Sequence, residues 1–343
     1  MKILYMSCHI VLEYDELRIL HSLGHDVFVI GGYIDPRSPQ NQIRPPLEIV
    51  PNEDLLNQYY SMSHQNFLSG VKEDECGKTF TKEFIDQFDC IIVMHRLDWI
   101  ELNWSVFKNK AVILRTIGQN LSDNELKLKT YMNMGVRVVR YSPFETQIPN
   151  YAGQHAEIRF LKYLEDFKPR NVMNETTITF GQSVTQRGIH CLSNVILSVG
   201  ARLPFVLYGP NNESHIYNGG YLTYQEQINV LSQSGAYFYT GTYPAQYTLN
   251  FMEAMLAGIP VVAVGEKLAH SHLPKYPYEV PSLLSGLYNS KFDTIDEIVY
   301  ILREIATNPT INKLISDKQI EVATDLFSAE KNAYKWSDFL NTL

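Results

Sequence analysis

Short apolar runs that do not alternate with polar residues constrain the fold of this chain more than any other feature. CIIVM (Cys90–Met94) and AVILR (Ala111–Arg115) show it most plainly, and VRVVRY (Val136–Tyr141) continues the series. A strand with one face in water alternates, so runs of this kind belong to strands covered on both faces, as in parallel sheets flanked by helices. The series begins with Lys2–Met6 and Asp26–Ile30, the latter stopped by Gly31 and Gly32. Between them Glu13–Leu23 places Leu17, Leu20 and Leu23 at helical spacing before Gly24.

The pattern breaks around residues 147–170, where Pro149, Gly153 and Pro169 interrupt it, and then starts again. The second series runs through Thr176–Gly181, Phe205–Gly209, Ala236–Gly241 and Pro260–Val264, with helices near Ile189–Val199 and Tyr224–Ser232. Residues 294–307 and 329–341 read as closing helices, the last one returning to the first half. The expected architecture is therefore α/β, with two Rossmann-like, doubly wound domains facing a cleft. Their expected bounds are residues 1–150 and 171–325, joined by a linker over 151–170, with 326–343 packing toward the N-terminal domain.

At 343 residues each half is long enough for its own core. The 29 basic and 37 acidic residues leave a net charge of −8, which disfavours DNA and anionic lipid as partners. Cys8, Cys76, Cys90 and Cys191 have no metal-finger spacing, and no apolar stretch reaches the length of a membrane span. A reduced, cytoplasmic protein without a transmembrane segment is the expectation.

In doubly wound sheets, ligands collect where strands end and helices begin. FGQSVTQRG (Phe180–Gly188) is such a place: the N–H groups of Gly181, Gln182 and Ser183 suit a phosphate, and Arg187 suits a charge-assisted contact to it. GPNNESHIYNGG is a turn-rich loop suited to an aromatic base beside Tyr221. In TLNFMEAMLAGIPVVAVG, Thr248, Leu249 and Asn250 open a helix that carries Glu253, a carboxylate able to accept both hydroxyls of a ribose. Tyr243 and Tyr247 flank that motif as ligand candidates. In the first half His9, Glu13, Asp15 and Gln119 follow strand ends and are expected on the acceptor side, Glu13 and Asp15 at a solvated helix start. His95 and Asp98 follow CIIVM. His270 and His272 lack a third ligand and make a poor metal site.

The loop FGQSVTQRG, the Glu253 helix and the strand GIPVV, in this order, resemble the C-terminal domain of GT-B glycosyltransferases, above all the retaining family 4 enzymes. MKILYMS and GHDVFVIGG resemble their N-terminal domain. RTIGQN, VRYSPFE, AGQHAEIRF and YTGTYPAQYTLNFMEAM look like predicted glycosyltransferases of tailed phages. The resemblance makes Gly181 and Gly188 the loop glycines, Arg187 the loop cation, Glu253 the ribose-binding acid and His95 a sugar contact. Two positions depart from the family pattern: Gln182 stands for its arginine and Ala245 for its first glutamate, the acid that touches the donor sugar.

The resemblance implies transfer of a sugar from a UDP- or GDP-linked donor to a hydroxyl of a glycan, lipid-linked sugar or protein, with no other cofactor. No Asp-x-Asp pair occurs, so metal-independent transfer is expected, with Arg187 and backbone amides stabilising the leaving diphosphate. An inverting displacement would use Asp98 as base, whereas a retaining one requires no protein nucleophile. Two other readings stay open: transfer to a hydroxymethylated base in phage DNA, and non-catalytic sugar-nucleotide binding, prompted by Gln182 and Ala245.

Overall fold

In a computed structural model of the protein, residues 1–32, 52–168, 174–284 and 291–343 are described, with 44, 45, 47, 49 and 170. Pro169, read above as a linker break, lies outside them. The chain divides into two compact units, one of residues 1–158 with 333–343 and one of residues 159–332.

The first unit holds a six-stranded sheet of β1 (Lys2–Met6), β2 (Asp26–Ile30), β3 (Cys90–Met94), β4 (Ala111–Arg115), β5 (Arg137–Arg140) and β6 (Ala156–Glu157), in the order β2-β1-β3-β4-β5-β6. All its pairings are parallel. All five residues of β3 are buried, as its unbroken apolar run requires. One side of the sheet packs a core in which Phe28, Phe84 and Phe88 meet. The closing helix Tyr334–Leu340 belongs to this unit. Its Trp336 is fully buried, and the Arg115 guanidinium lies 5.5 Å from the centre of that ring.

The second unit holds β7 (Thr177–Phe180), β8 (Phe205–Tyr208), β9 (Asn218–Gly220), β10 (Ala236–Tyr239), β11 (Val261–Val264) and β12 (Lys291–Phe292), in the order β12-β11-β10-β7-β8-β9. These pairings are parallel as well. Strand order reverses between β1 and β3 in the first sheet and between β7 and β10 in the second. Those reversals open a crevice at the strand carboxyl ends.

Several elements differ from the sequence reading. Ala156–Glu157, inside the expected linker, pairs with β5. The helix expected near Ile189–Val199 is a 3₁₀ turn, Gly188–Cys191, followed by an α-helix, Ser193–Gly200, because Leu192 adopts a left-handed conformation between them. Among the helices the sequence reading did not name are Glu53–Leu68 and the 19-residue Pro309–Phe327. The latter starts with Asn308 accepting from the Thr310 and Ile311 amides and with proline in its first turn, a local start signal that was legible.

Candidate functional site

At the end of β1, Ser7, Cys8 and His9 lead into the helix Ile10–Ser22, whose first turn His9 caps through Nδ1. Glu13 and Asp15, expected in solvent, are 1% and 3% exposed. The reason for Glu13 is local packing. Its carboxylate lies over the Gly31–Gly32 turn that ends β2 and accepts from the Gly32 amide at 3.1 Å. A Cβ on Gly31 would stand 2.0 Å from the Glu13 Oε2. Gly31→Ala is therefore expected to expel that carboxylate and destabilise the protein by about 1–3 kcal/mol, the range for overpacking. An unchanged urea midpoint would show that the carboxylate does not need this cradle.

Beside these residues lies a cavity of about 660 Å³, lined among the described residues by Cys8, His9, Glu13, Gly32, Tyr59 and Asp74 and their neighbours. That volume falls in the ordinary range for small-molecule sites. Gln119, after β4, is exposed and does not line it.

At the end of β3, His95 has φ 62° and a buried Nδ1 with no hydrogen-bond partner among the described residues. Burial, and then the neighbouring Arg96 charge, lower its pKa. His95 and Asp98 line a second, smaller cavity of about 180 Å³ with Asn120, Asn124 and Lys127. Asp98 is held by Arg96, whose Nε donates to Oδ1 at 2.8 Å, and that hydrogen bond keeps its carboxyl below its ordinary value. An ion-paired carboxylate of lowered pKa is a weak proton acceptor, which counts against Asp98 as a general base.

In the second unit the loop after β7 is built differently from expectation. The Gly181 amide donates to the Tyr208 carbonyl at 2.9 Å and the Ser183 amide to the Pro210 carbonyl at 3.0 Å, so neither is left for a phosphate. The buried Asn212, from the loop read as a base pocket, knits the two turns together. It donates to the carbonyls of Gly181 and Gly209 and accepts from the Val184 amide. Gly209, at φ 137°, permits this approach, since a Cβ there would meet the Gly181 carbonyl oxygen at 2.2 Å. Gln182 is exposed, and so is Tyr221, at 61%.

Arg187 ends the short helix Val184–Arg187, is exposed, and makes no ion pair or hydrogen bond through its guanidinium among the described residues. Burial raises the pKa of the nearby Cys191, and the Arg187 charge offsets part of that rise. The adjacent His190 carbonyl accepts from the Tyr243 amide at 3.0 Å, which ties this turn to the loop before the helix Leu249–Leu256. Thr248 caps that helix without a side-chain hydrogen bond, and the Leu249 and Asn250 amides have no acceptor among the described residues. Such an open helix start favours an anion.

Two further residues take roles in the core. Tyr247 is 1% exposed and packs on Phe160 and Phe327 under Arg159, not on an open wall. Glu253 is 3% exposed, with Oε1 accepting from Lys162 Nζ at 2.7 Å and Oε2 from Gln227 Nε2 at 2.9 Å. Neither partner was apparent beforehand. Lys162 lies 91 residues away in sequence, and no local pattern marks it. Tyr243 stacks on His190, and His270 packs against Tyr276. Among the described residues no three His, Cys, Asp or Glu side chains gather as metal ligands, and no helix is long and apolar enough to cross a membrane.

No protein-family model and no curated protein sequence matches the chain. Solved structures do. Anabaena HepE, solved with UDP-glucose, aligns over 100% of both chains with a TM-score of 0.68 at 14% identity. A glycosyltransferase from Rickettsia africae aligns over 100% of this chain and 99% of its own, with a TM-score of 0.62 at 12% identity. An α-glucosyltransferase solved with UDP-glucose and DNA containing an abasic site aligns over 99% of both, with a TM-score of 0.60 at 11% identity. Two all-parallel six-stranded sheets and this full-length likeness give the chain the GT-B fold, with two Rossmann-like units.

Proposed function

We propose that the protein is a glycosyltransferase that moves a sugar from a nucleotide-sugar donor to an acceptor hydroxyl. The observation that carries this reading is the Arg187 guanidinium, unpaired among the described residues and linked through His190 and Tyr243 to the loop that leads into the open helix start at Leu249 and Asn250. Together they supply a cation and two unspent amides for a diphosphate whose negative charge grows as the sugar leaves. Arg187 replaces the pairing of loop arginine and lysine that the resemblance would supply, since Gln182 is uncharged. The donor is UDP-linked, a choice supported by the UDP-glucose bound to the structurally similar HepE and α-glucosyltransferase. Glu253 takes the ribose in this reading only by sharing its carboxylate with Lys162 and Gln227.

Release of the nucleoside diphosphate, UDP or GDP, from a panel of UDP- and GDP-sugars tests the proposal, with thermal shift as an independent measure of binding. A donor at 100 times its dissociation constant stabilises the folded chain by about 2.7 kcal/mol. Absence of both shift and turnover across the panel would refute it, and binding without turnover would favour the non-catalytic reading. Once a donor is found, turnover is expected to persist in EDTA, because a cation and amides take the place of a metal. Loss in EDTA with recovery on adding manganese or magnesium would overturn the metal-free reading.

A further inference from the structure

In the second unit the two residues that precede Thr248, and with it the open helix start, are both attached to one buried ion pair. Arg159 and Glu279, 120 residues apart, meet as a fork, with Nη2 donating to Oε1 at 2.5 Å and Nη1 to Oε2 at 3.2 Å. Their side chains are 9% and 2% exposed. The Arg159 guanidinium stands 5.6 Å from the centre of the Tyr247 ring and 5.7 Å from that of Phe327, so ring contacts add to the charge in holding it. Glu279 reaches the residue before: its amide donates to the Gln246 carbonyl at 3.1 Å. The pair is fixed in turn by its own chain neighbours. Phe160 meets Tyr247 with ring centres 6.0 Å apart, and Tyr247 meets Phe327 at 5.4 Å. Beyond them the Lys162 amide donates to the Phe327 carbonyl and the Lys162 carbonyl accepts from the Ala329 amide, each at 2.8 Å. Two segments far apart in sequence thus make a bonded frame for the loop that ends at Thr248.

A buried ion pair is a poor device for stability, because desolvation of both charges offsets most of their attraction and an apolar pair of like volume holds a core as well. What a two-bonded fork adds is direction. Amides that must meet a diphosphate need direction, since misplacement by about 1 Å costs as much as 100-fold in rate. We infer that Arg159 is a positioning residue for the donor diphosphate: with Glu279 it sets residues 246–247, and so the aim of the Leu249 and Asn250 amides, without touching the ligand. The inference rests on the transferase reading, which puts the diphosphate at that helix start.

The test compares UDP with uridine, which shares its base and ribose but offers the helix start no phosphate; GDP and guanosine take their place if the panel selects a guanine donor. Both affinities are measured by equilibrium titration for the parental protein, for Arg159→Lys, and for Arg159→Met combined with Glu279→Leu, with the urea midpoint of each. The double variant removes both charges at similar volume and is expected to keep a midpoint near the parental one. It should lose about tenfold in UDP affinity and roughly 10–100-fold in turnover at saturating donor, and bind uridine as before. Arg159→Lys keeps the charge without the planar fork, so the same selective loss is expected in smaller measure. Should the double variant fail to fold, Arg159→Lys decides alone. Equal loss of UDP and uridine would make Arg159 a structural residue only, and unchanged UDP affinity in the deciding variant would show that the amides hold their aim without it; either result overturns the inference. A parental protein that binds UDP no tighter than uridine would refute the diphosphate site itself, and the inference would fall with that reading.

Discussion

Glu253→Ala is expected to destabilise the folded protein by about 3–5 kcal/mol, the range for removing one partner of a buried ion pair. Glu253 and Lys162 are 4% and 3% exposed at their side chains and 2.7 Å apart, so loss of the carboxylate takes from a buried ammonium its ion-pair partner at that distance. Gln227 loses its acceptor at the same time. Read only as the acceptor of two ribose hydroxyls, Glu253 would on replacement by alanine weaken donor binding and leave the fold intact; the buried pair with Lys162 changes that expectation. A shift of the urea midpoint checks the claim. Lys162→Met should be similarly harmful alone, and Glu253→Gln combined with Lys162→Met should recover most of the loss, since the double change removes both charges. A Glu253→Ala protein with the parental midpoint would mean that the pair is not held in the folded state. The Glu253→Gln, Lys162→Met double variant then isolates the ribose role: it keeps the volume and removes both charges, so a fall in UDP affinity with little change in midpoint supports that role.

Arg187→Ala is expected to lower turnover about 100-fold at saturating donor, the scale of removing one preorganised donor to a developing anion. The expectation is large because the loop offers no second cation: Gln182 is neutral, and the Gly181 and Ser183 amides are spent on the neighbouring turn. Folding should be unaffected, since the guanidinium is exposed and makes no contact to lose among the described residues. Arg187→Lys should recover activity only in part, because an ammonium lacks the planar fork that holds two phosphate oxygens at once. Normal turnover of Arg187→Ala at saturating donor would place the diphosphate elsewhere.

How much was legible depended on the range of the interaction involved. The runs CIIVM, AVILR and TTITFG predicted strands, and β3, β4 and β7 lie within them, because burial on both faces leaves its mark residue by residue. β6, β9 and β12 have only two or three residues each, too few to carry a pattern. Arg187 was legible as a cation after a strand end. That its guanidinium has no partner among the described residues became evident only with the neighbouring turns in place.

The sequence by itself determined the alternation of strand and helix, the restart after residue 170, and the chemical types present at the strand ends. Each follows from local sterics and from the periodicity of burial along a few consecutive residues. Tertiary structure alone decided which of those polar groups are free. It buried Glu13 over Gly31, consumed the amides of Gly181 and Ser183, drew Tyr247 into the core, and paired Glu253 with a lysine 91 residues away. A buried polar group must find a partner, and the partner is whichever group the packing of distant segments brings within reach.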